Sequence, residues 1–191
     1  HGSTGDRVVL PMGLIADGAL AFDGNAISYY SLEEGLGGGR LQLGIPLTGS
    51  RRLGDRVFEL QLNDSLSAAS VFAEAMAEWK VLVAATLNGL GQRALEMGAE
   101  YARTREAFGV PIGSFQAVAH PLADAATSLE AAGLIALEAA WAKDRQLNEA
   151  APLASMAFVA SSEAATAATR VALHVHGGYG ITQDFDIQLY F

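Results

Sequence analysis

Apolar residues recur mostly three and four positions apart from Ala69 to His174, which is the period of an amphipathic helix. A tight loop containing Gly109, Pro111 and Gly113 interrupts the pattern once. We predict a mainly α chain, in which three long helices pack antiparallel through short connections as an up-down helical bundle. Residues 184–191 are predicted to open a fourth, truncated helix.

The corner between the first two predicted helices gathers basic, aromatic and amide side chains. It spans residues 101–124 and reads YARTREAFGVPIGSFQAVAHPLAD, with Arg105, Phe108 and Gln116 around its loop. Ser114 is placed to cap the second helix, which we predict at about residues 115–143. Taken alone, this segment fits either an αα-hairpin with a polar rim or a binding site.

Glycines in the first helix and after the third helix have different expected roles. Gly89 and Gly91 lie inside the first helix, where each costs about 1 kcal/mol relative to alanine, so we expect them to serve close packing. The third helix, at about residues 152–174, has a strict heptad seam that ends in His174, which is therefore interpreted as a packed residue. Gly177 and Gly178 follow as a helix stop.

The chain before residue 65 has the texture of β-structure. Short runs (RVVLP, ALAF, AISYY and RVFELQL) are separated by Gly, Asp and Asn. We predict a partial antiparallel β-domain at residues 1–64 and a helical domain at residues 65–191. The EEGLGGGR segment, residues 33–40, is interpreted as a flexible turn, because it lacks the lysine of a phosphate-binding loop.

Composition excludes several classes of function. The 191 residues are 51% hydrophobic and 17% charged with a net charge of −9, which is typical of a globular protein and argues against a nucleic-acid surface. Cysteine is absent, so thiolate catalysis and Cys-ligated metals are excluded. The apolar runs are too interrupted for a membrane span, and we expect a soluble, cytoplasmic protein.

Two segments together carry a resemblance to a family. YARTREAFGVPIGSFQAVAHPLAD and the C-terminal HVHGGYGITQDFDIQLYF resemble, at the family's spacing, the C-terminal helical domain of the acyl-CoA dehydrogenases. The resemblance covers residues 65–191 well and the preceding part weakly. It implies an FAD-dependent oxidoreductase of lipid metabolism that desaturates an acyl-CoA, works as a homo- or heterotetramer and passes electrons to an electron-transferring flavoprotein.

The resemblance also implies cofactor-binding residues. The matching Arg105 would hold the FAD pyrophosphate, Phe108 would line the cofactor and Gln116 would reach its adenine end, all toward a neighbouring subunit. The backbone of Gly177 and Gly178 would close on the adenosine diphosphate, and His174 takes a position where the family often has a cofactor-contacting Gln. From the residues alone, Arg105 also fits an exposed arginine at a helix C-terminus. No metal site is predicted.

The catalytic base is the main departure from the family pattern. Most members carry a glutamate beyond the second motif, and a minority carry it early in the first helix, where Glu78 is the candidate and Trp79 takes the matching position. Glu78 equally fits a solvated helix carboxylate. The chain resembles the smaller subunits of bacterial hetero-oligomeric members, so a catalytically silent structural subunit is the alternative, and a helical binding module unrelated to flavin is a third.

Overall fold

The computed structural model describes residues 7–11, 18–33, 39–40, 46–60 and 67–191. The chain divides into two compact units, His1–Ala73 and Glu74–Phe191. The boundary predicted at residues 63–65 lies outside the described residues and stays a prediction. No helix in the described ranges is both long and apolar enough to cross a membrane.

The first unit contains an antiparallel sheet. Its strands are β1 (Arg7–Pro11), β2 (Gly18–Phe22), β3 (Ile27–Glu33), β4 (Gly39–Arg40) and β5 (Pro46–Glu59). The strand order is β1-β5-β3-β2, and β4 also pairs with β5. In the β3–β5 pair Tyr29 lies opposite Phe58, and their rings stack with centroids 5.3 Å apart. Of the turn predicted at residues 33–40, residues 34–38 lie outside the described residues, whereas Glu33 ends β3 and Gly39–Arg40 form β4.

The helical part follows as three long α-helices. They are α1 (Ala68–Thr104), α2 (Gln116–Asp144) and α3 (Ala150–His176). A two-strand hairpin, β6 (Glu106–Ala107) and β7 (Val110–Pro111), and a 3₁₀ turn, Ile112–Ser114, connect α1 to α2. After α3 come two 3₁₀ turns, Gly177–Ile181 and Asp186–Leu189, the second in the stretch where a fourth helix was expected to open.

Contacts between the helices give their directions. A Cβ at Gly91 of α1 would lie 3.0 Å from Cα of Ala165 in α3, and one at Gly98 would lie 3.0 Å from Cα of Ala172, so the two helices run in the same direction. The same Gly98 position lies 3.5 Å from Leu122 of α2, whereas Asn88 donates to the carbonyl of Leu129 at 3.2 Å, so α2 runs in the opposite direction. The predicted up-down bundle is therefore confirmed.

Alanine dominates the bundle core. The buried residues of the two larger clusters are alanines except for Leu129, the single larger residue. Small side chains let helix backbones approach closely, because little volume must be accommodated between them. The end of α1, the start of α2 and the end of α3 consequently lie at one end of a tightly packed bundle, which we call the motif end because both sequence motifs reach it.

The predicted heptad seam of α3 is only partly correct. Ala157 and Ala164 are buried as expected, but Ala167 and His174 are exposed, and Ala168 and Ala172 are buried in their place. A straight helix has 3.6 residues per turn, so a strict heptad drifts by about 20° per repeat. Over three repeats the drift turns His174 away from the core.

Gly89 and Gly91 lie two positions apart on α1 and have opposite environments. A Cβ at Gly91 would lie 2.6 Å from Leu129 and 3.0 Å from Cα of Ala165, so its predicted packing role is supported. A Cβ at Gly89 would meet nothing within 4 Å, so the packing role predicted for Gly89 is wrong.

This contrast predicts opposite effects of the same substitution. Gly91→Ala should destabilise the fold by about 1–3 kcal/mol through overpacking. Gly89→Ala should stabilise it by about 0.5–1 kcal/mol through higher helix propensity. Urea unfolding followed by circular dichroism measures both, and shifts of equal sign would contradict the packing described above.

Candidate functional site

The two sequence motifs meet at the motif end of the bundle. Arg105 follows the last residue of α1, and its amide donates to the carbonyl of Tyr101 at 2.8 Å. The guanidinium carbon of Arg105 lies 5.6 Å from the ring centroid of Tyr179, in the 3₁₀ turn after α3. Residues more than 70 positions apart in the sequence therefore form one side of a common site.

An aromatic cluster made of Tyr101, His176, Tyr179 and Phe185 joins the ends of α1 and α3. The Tyr101 and His176 rings stack with centroids 4.3 Å apart. Phe185 packs edge-on against Tyr101 at 5.6 Å and against His176 at 5.4 Å. These contacts hold the first motif against the second without a covalent link, since each ring pair adds about 0.5–1.5 kcal/mol beyond its burial.

His176 is the packed histidine of this region. Its side chain is buried, and Nδ1 donates to the carbonyl of Ala172 at 2.8 Å. A carbonyl only accepts hydrogen bonds, so this contact places the proton on Nδ1. His176 thereby takes the packed role that the heptad pattern had assigned to His174.

Arg105 lines a cleft, and its guanidinium makes no hydrogen bond to another described residue. Tyr101, Thr104, Arg105, Tyr179 and Phe185 line this cleft, which has a volume of about 430 Å³. Three ion pairs form among the described residues, and none of them includes Arg105. Five guanidinium N–H groups in a rigid planar fork are therefore available to an anion, and a phosphate can accept two of them at once.

Phe108 stands at the tip of the β6–β7 hairpin. Both turn residues have positive φ, 55° at Phe108 and 82° at Gly109, which is the pattern of a type I′ hairpin turn. A left-handed conformation is unfavourable for a residue as bulky as phenylalanine. The Phe108 side chain is 97% exposed and makes one edge contact, with Phe115 at 6.2 Å. The hairpin thus presents a large apolar ring away from its own chain.

The start of α2 differs from the sequence prediction. Phe115, not Ser114, takes the N-cap position, and no side chain caps the helix. The Ser114 hydroxyl instead donates to the carbonyl of Pro111 at 2.7 Å, because Ser114 lies within the preceding 3₁₀ turn. Gln116 is the first helical residue and is exposed, so its amide is available at the positive end of the helix dipole.

His174 lines a second cleft at the motif end. This cleft, of about 460 Å³, lies between the first turns of α2 and the last turns of α3. Its walls are largely apolar, and Arg170 stands one helical turn before His174 on the same wall. The residues that line it are Ala117, Val118, Pro121, Arg170, Val171, His174 and Val175. Two nitrogen-bearing side chains thus border an apolar cleft next to Gln116.

The two adjacent glycines after α3 differ in backbone conformation. Gly177 has φ 58° and ψ −139°, a conformation that is essentially restricted to glycine. Gly178 does not have a positive φ, and a Cβ built there would meet nothing within 4 Å. The fold of this chain therefore explains the glycine at position 177 and leaves open space at position 178.

Glu78 lies apart from the other candidates. It is exposed on α1, 27 residues before Arg105, which corresponds to roughly 40 Å along a helix. Among the described residues, no group of three or more His, Asp or Glu side chains is arranged to hold a metal ion. The bundle therefore brings Arg105, Gln116, His174, Gly177 and Gly178 to one end and leaves Glu78 well away from it.

Sequence reasoning missed two residues of this region. Tyr179 is inside the HGGYG motif, directly after the glycines that were singled out, and Arg170 precedes His174 by four positions. The i, i+4 spacing on a helix was a usable signal for Arg170, because such residues share a face. The contact of Tyr179 with Arg105 had no local signal, since it depends on how α1 and α3 pack.

Comparison with known proteins identifies the family. The family model of the acyl-CoA dehydrogenase C-terminal domain matches residues 69–191. The probable acyl-CoA dehydrogenase YngJ of Bacillus subtilis (strain 168) is 34% identical over 127 residues, which cover 66% of this chain and 33% of that protein. The chain thus spans about a third of the length of the curated relatives it matches.

Solved structures share the fold over nearly the whole chain. PigA with FAD and proline has a TM-score of 0.79 at 21% identity and covers 97% of this chain and 53% of its own. The ChsE4–ChsE5 complex of Mycobacterium tuberculosis has a TM-score of 0.75 at 26% identity and covers 98% of this chain and 52% of the matched one. The resemblance predicted from the two motifs is confirmed: this chain belongs to the acyl-CoA dehydrogenase family.

Proposed function

We propose that this chain supplies the motif end of its bundle to the FAD site of an acyl-CoA dehydrogenase. The observation that carries the proposal is Arg105, whose guanidinium makes no ion pair among the described residues and stands beside the Gly177–Ile181 turn. In a chain of net charge −9, an arginine left free of carboxylates at a cleft is suited to bind an anion.

The residues at the motif end fit the chemical parts of FAD. Arg105 would bind the pyrophosphate through its planar fork, and the Gly178 backbone would approach it closely where no Cβ intervenes. Gln116 and His174 would bind the adenosine part beside the apolar cleft at the start of α2. Held there, FAD would supply the two-electron oxidant for the desaturation of an acyl-CoA thioester.

We further propose that the FAD is held jointly with another subunit. Phe108 projects from the hairpin with 97% of its side chain exposed, in a backbone conformation unfavourable for a bulky residue. Such an aromatic ring at a hairpin tip is suited to an interface, where aromatic residues are enriched. The second surface would come from another copy or from a related chain in a homo- or heterotetramer.

A catalytically silent subunit is the second candidate function, and the location of Glu78 favours it. The carboxylate is exposed on α1 at roughly 40 Å of helix from Arg105, so we do not include it in the part of the FAD site proposed for this chain. A silent subunit would complete the FAD site of a partner while that partner supplies the base. The acyl-CoA substrate and an electron-transferring flavoprotein would then be bound by the whole assembly.

The Glu78→Gln variant tests whether this chain supplies the catalytic base through Glu78. If the carboxylate is a solvated helix residue, the variant should keep both flavin content and turnover within about twofold of the parent protein, because removing a general base typically costs 10²–10⁴-fold. Glu130→Gln, another exposed helix carboxylate, is the matched control. A loss of turnover in Glu78→Gln alone, at full flavin content, would assign the base to this chain.

The proposed function is tested directly by a visible absorption spectrum of the native-length protein. The spectrum is recorded for the protein alone and after co-expression with the product of its neighbouring gene. A flavin band in the first sample supports a site completed by copies of this chain, and a band only in the second supports a shared site in a hetero-oligomer. Flavin absorbance missing from both samples would overturn the FAD proposal.

A further inference from the structure

We infer that Tyr179 is a positioning residue for Arg105, an inference that rests on the FAD site proposed above. The Tyr179 ring holds the guanidinium at the mouth of the cleft while leaving its N–H groups free for the pyrophosphate. Three observations carry this inference: the contact between the two side chains, the bracing of the turn that carries Tyr179, and the absence of a carboxylate partner for Arg105 within the described residues.

The contact is a cation–π interaction in a partly exposed setting. The guanidinium carbon lies 5.6 Å from the ring centroid, within the roughly 6 Å over which the ring quadrupole attracts a cation. Tyr179 is 49% exposed, so one part of the ring is packed while another part remains open to Arg105. Its packed part contacts Phe185 with ring centroids 6.1 Å apart.

The backbone around Tyr179 is braced by hydrogen bonds. The Tyr179 carbonyl accepts from the Thr182 amide at 3.1 Å and from the Thr182 hydroxyl at 2.8 Å. Gln188 in turn donates from Nε2 to the Thr182 carbonyl at 2.8 Å. The turn also follows the buried His176, so the Tyr179 ring is presented from a backbone that is tied at both ends.

An aromatic partner, unlike a carboxylate, leaves the guanidinium N–H groups of Arg105 available for hydrogen bonds. A carboxylate would accept two guanidinium N–H groups and neutralise the charge, so a phosphate would have to compete for both. A ring face attracts the cation through its quadrupole and accepts none of the in-plane N–H bonds. Tyr179 thus limits the rotamers of Arg105 before the cofactor binds, which lowers the entropy cost of binding.

The test is a double-mutant cycle of Tyr179 and Arg105 in the native-length protein in its natural assembly. FAD affinity is measured by titrating the apoprotein with FAD and following flavin fluorescence. Tyr179→Leu should weaken FAD binding roughly fivefold, the size expected for one cation–π contact. Tyr179→Phe keeps the ring face and should stay within about twofold of the parent. In an Arg105→Ala background, Tyr179→Leu should cause no further loss, because the residue acts through Arg105.

The outcomes distinguish this inference from the proposed function. Loss of affinity in Arg105→Ala with no loss in Tyr179→Leu would overturn the inference and leave the FAD site standing. An equal loss from Tyr179→Leu in both backgrounds would also overturn it, since Tyr179 would then act independently of Arg105. If Arg105→Ala itself has no effect on FAD affinity, the proposed site and the inference both fail.

Discussion

Replacing Arg105 with alanine is expected to weaken FAD binding by roughly 100-fold. The reason is the loss of two charge-assisted hydrogen bonds to the pyrophosphate, which together contribute about 3 kcal/mol. Because the Arg105 side chain is exposed and makes no ion pair among the described residues, the fold itself should be unchanged. Equilibrium titration of the apoprotein with FAD measures the loss, and thermal unfolding of the apoprotein checks the fold.

Arg103→Ala is the matched control for this experiment. Arg103 lies in the last turn of α1, is also exposed, and carries the same charge two positions earlier. Neither the cleft below Arg105 nor the contact with Tyr179 includes Arg103. If both alanine variants lose FAD affinity equally, the effect is one of net charge, and the specific role proposed for Arg105 is contradicted.

Replacing Gly178 with alanine is expected to lower FAD affinity, whereas replacing Gly177 with alanine is expected to lower the stability of the apoprotein. Gly178→Ala should leave the stability of the apoprotein unchanged or slightly raised, because its Cβ meets nothing within 4 Å in this chain and alanine restricts the unfolded chain. If the backbone there closes on FAD, however, the added methyl group should weaken binding by about tenfold or more, since overpacking of a close contact costs about 1–3 kcal/mol.

Gly177→Ala should instead destabilise the apoprotein. The backbone at Gly177 has φ 58°, and a non-glycine residue forced into such a conformation costs about 1–3 kcal/mol. Urea unfolding of the two apoproteins, together with their FAD titrations, separates the two effects. If Gly178→Ala binds FAD as tightly as the parent protein, the close approach proposed for this turn is wrong.

The helices were largely predictable because their signals are local. The period of three and four residues predicted α1, α2 and α3 to within a few residues of their observed ends. Local signals were weaker where neighbouring positions compete. Ser114 and Phe115 could each be the N-cap residue of α2. Phe115 takes this position because Ser114 is the last residue of the preceding 3₁₀ turn.

The histidines and the glycines show where local pattern fails. A strict heptad assigned the packed role to His174, yet the true helical period brings His176 into the aromatic cluster and leaves His174 exposed at a cleft. Gly89 and Gly91 are both glycines inside α1 and look alike in the sequence, but their surroundings are opposite. For the glycines the difference is set by which neighbouring helix faces the position, and a single helix contains no information about that.

By itself, the sequence determined the family and the identity of most candidate site residues. It did so because two specific motifs carry residue types, Arg, Phe, Gln and paired Gly, whose chemistry suits a dinucleotide. Only the tertiary structure decided that the motifs meet, that Tyr179 faces Arg105 and that Glu78 does not join them. The physical reason is that α1 and α3 run in the same direction, which brings their C-terminal ends together, and this depends on alanine packing between residues far apart in the chain.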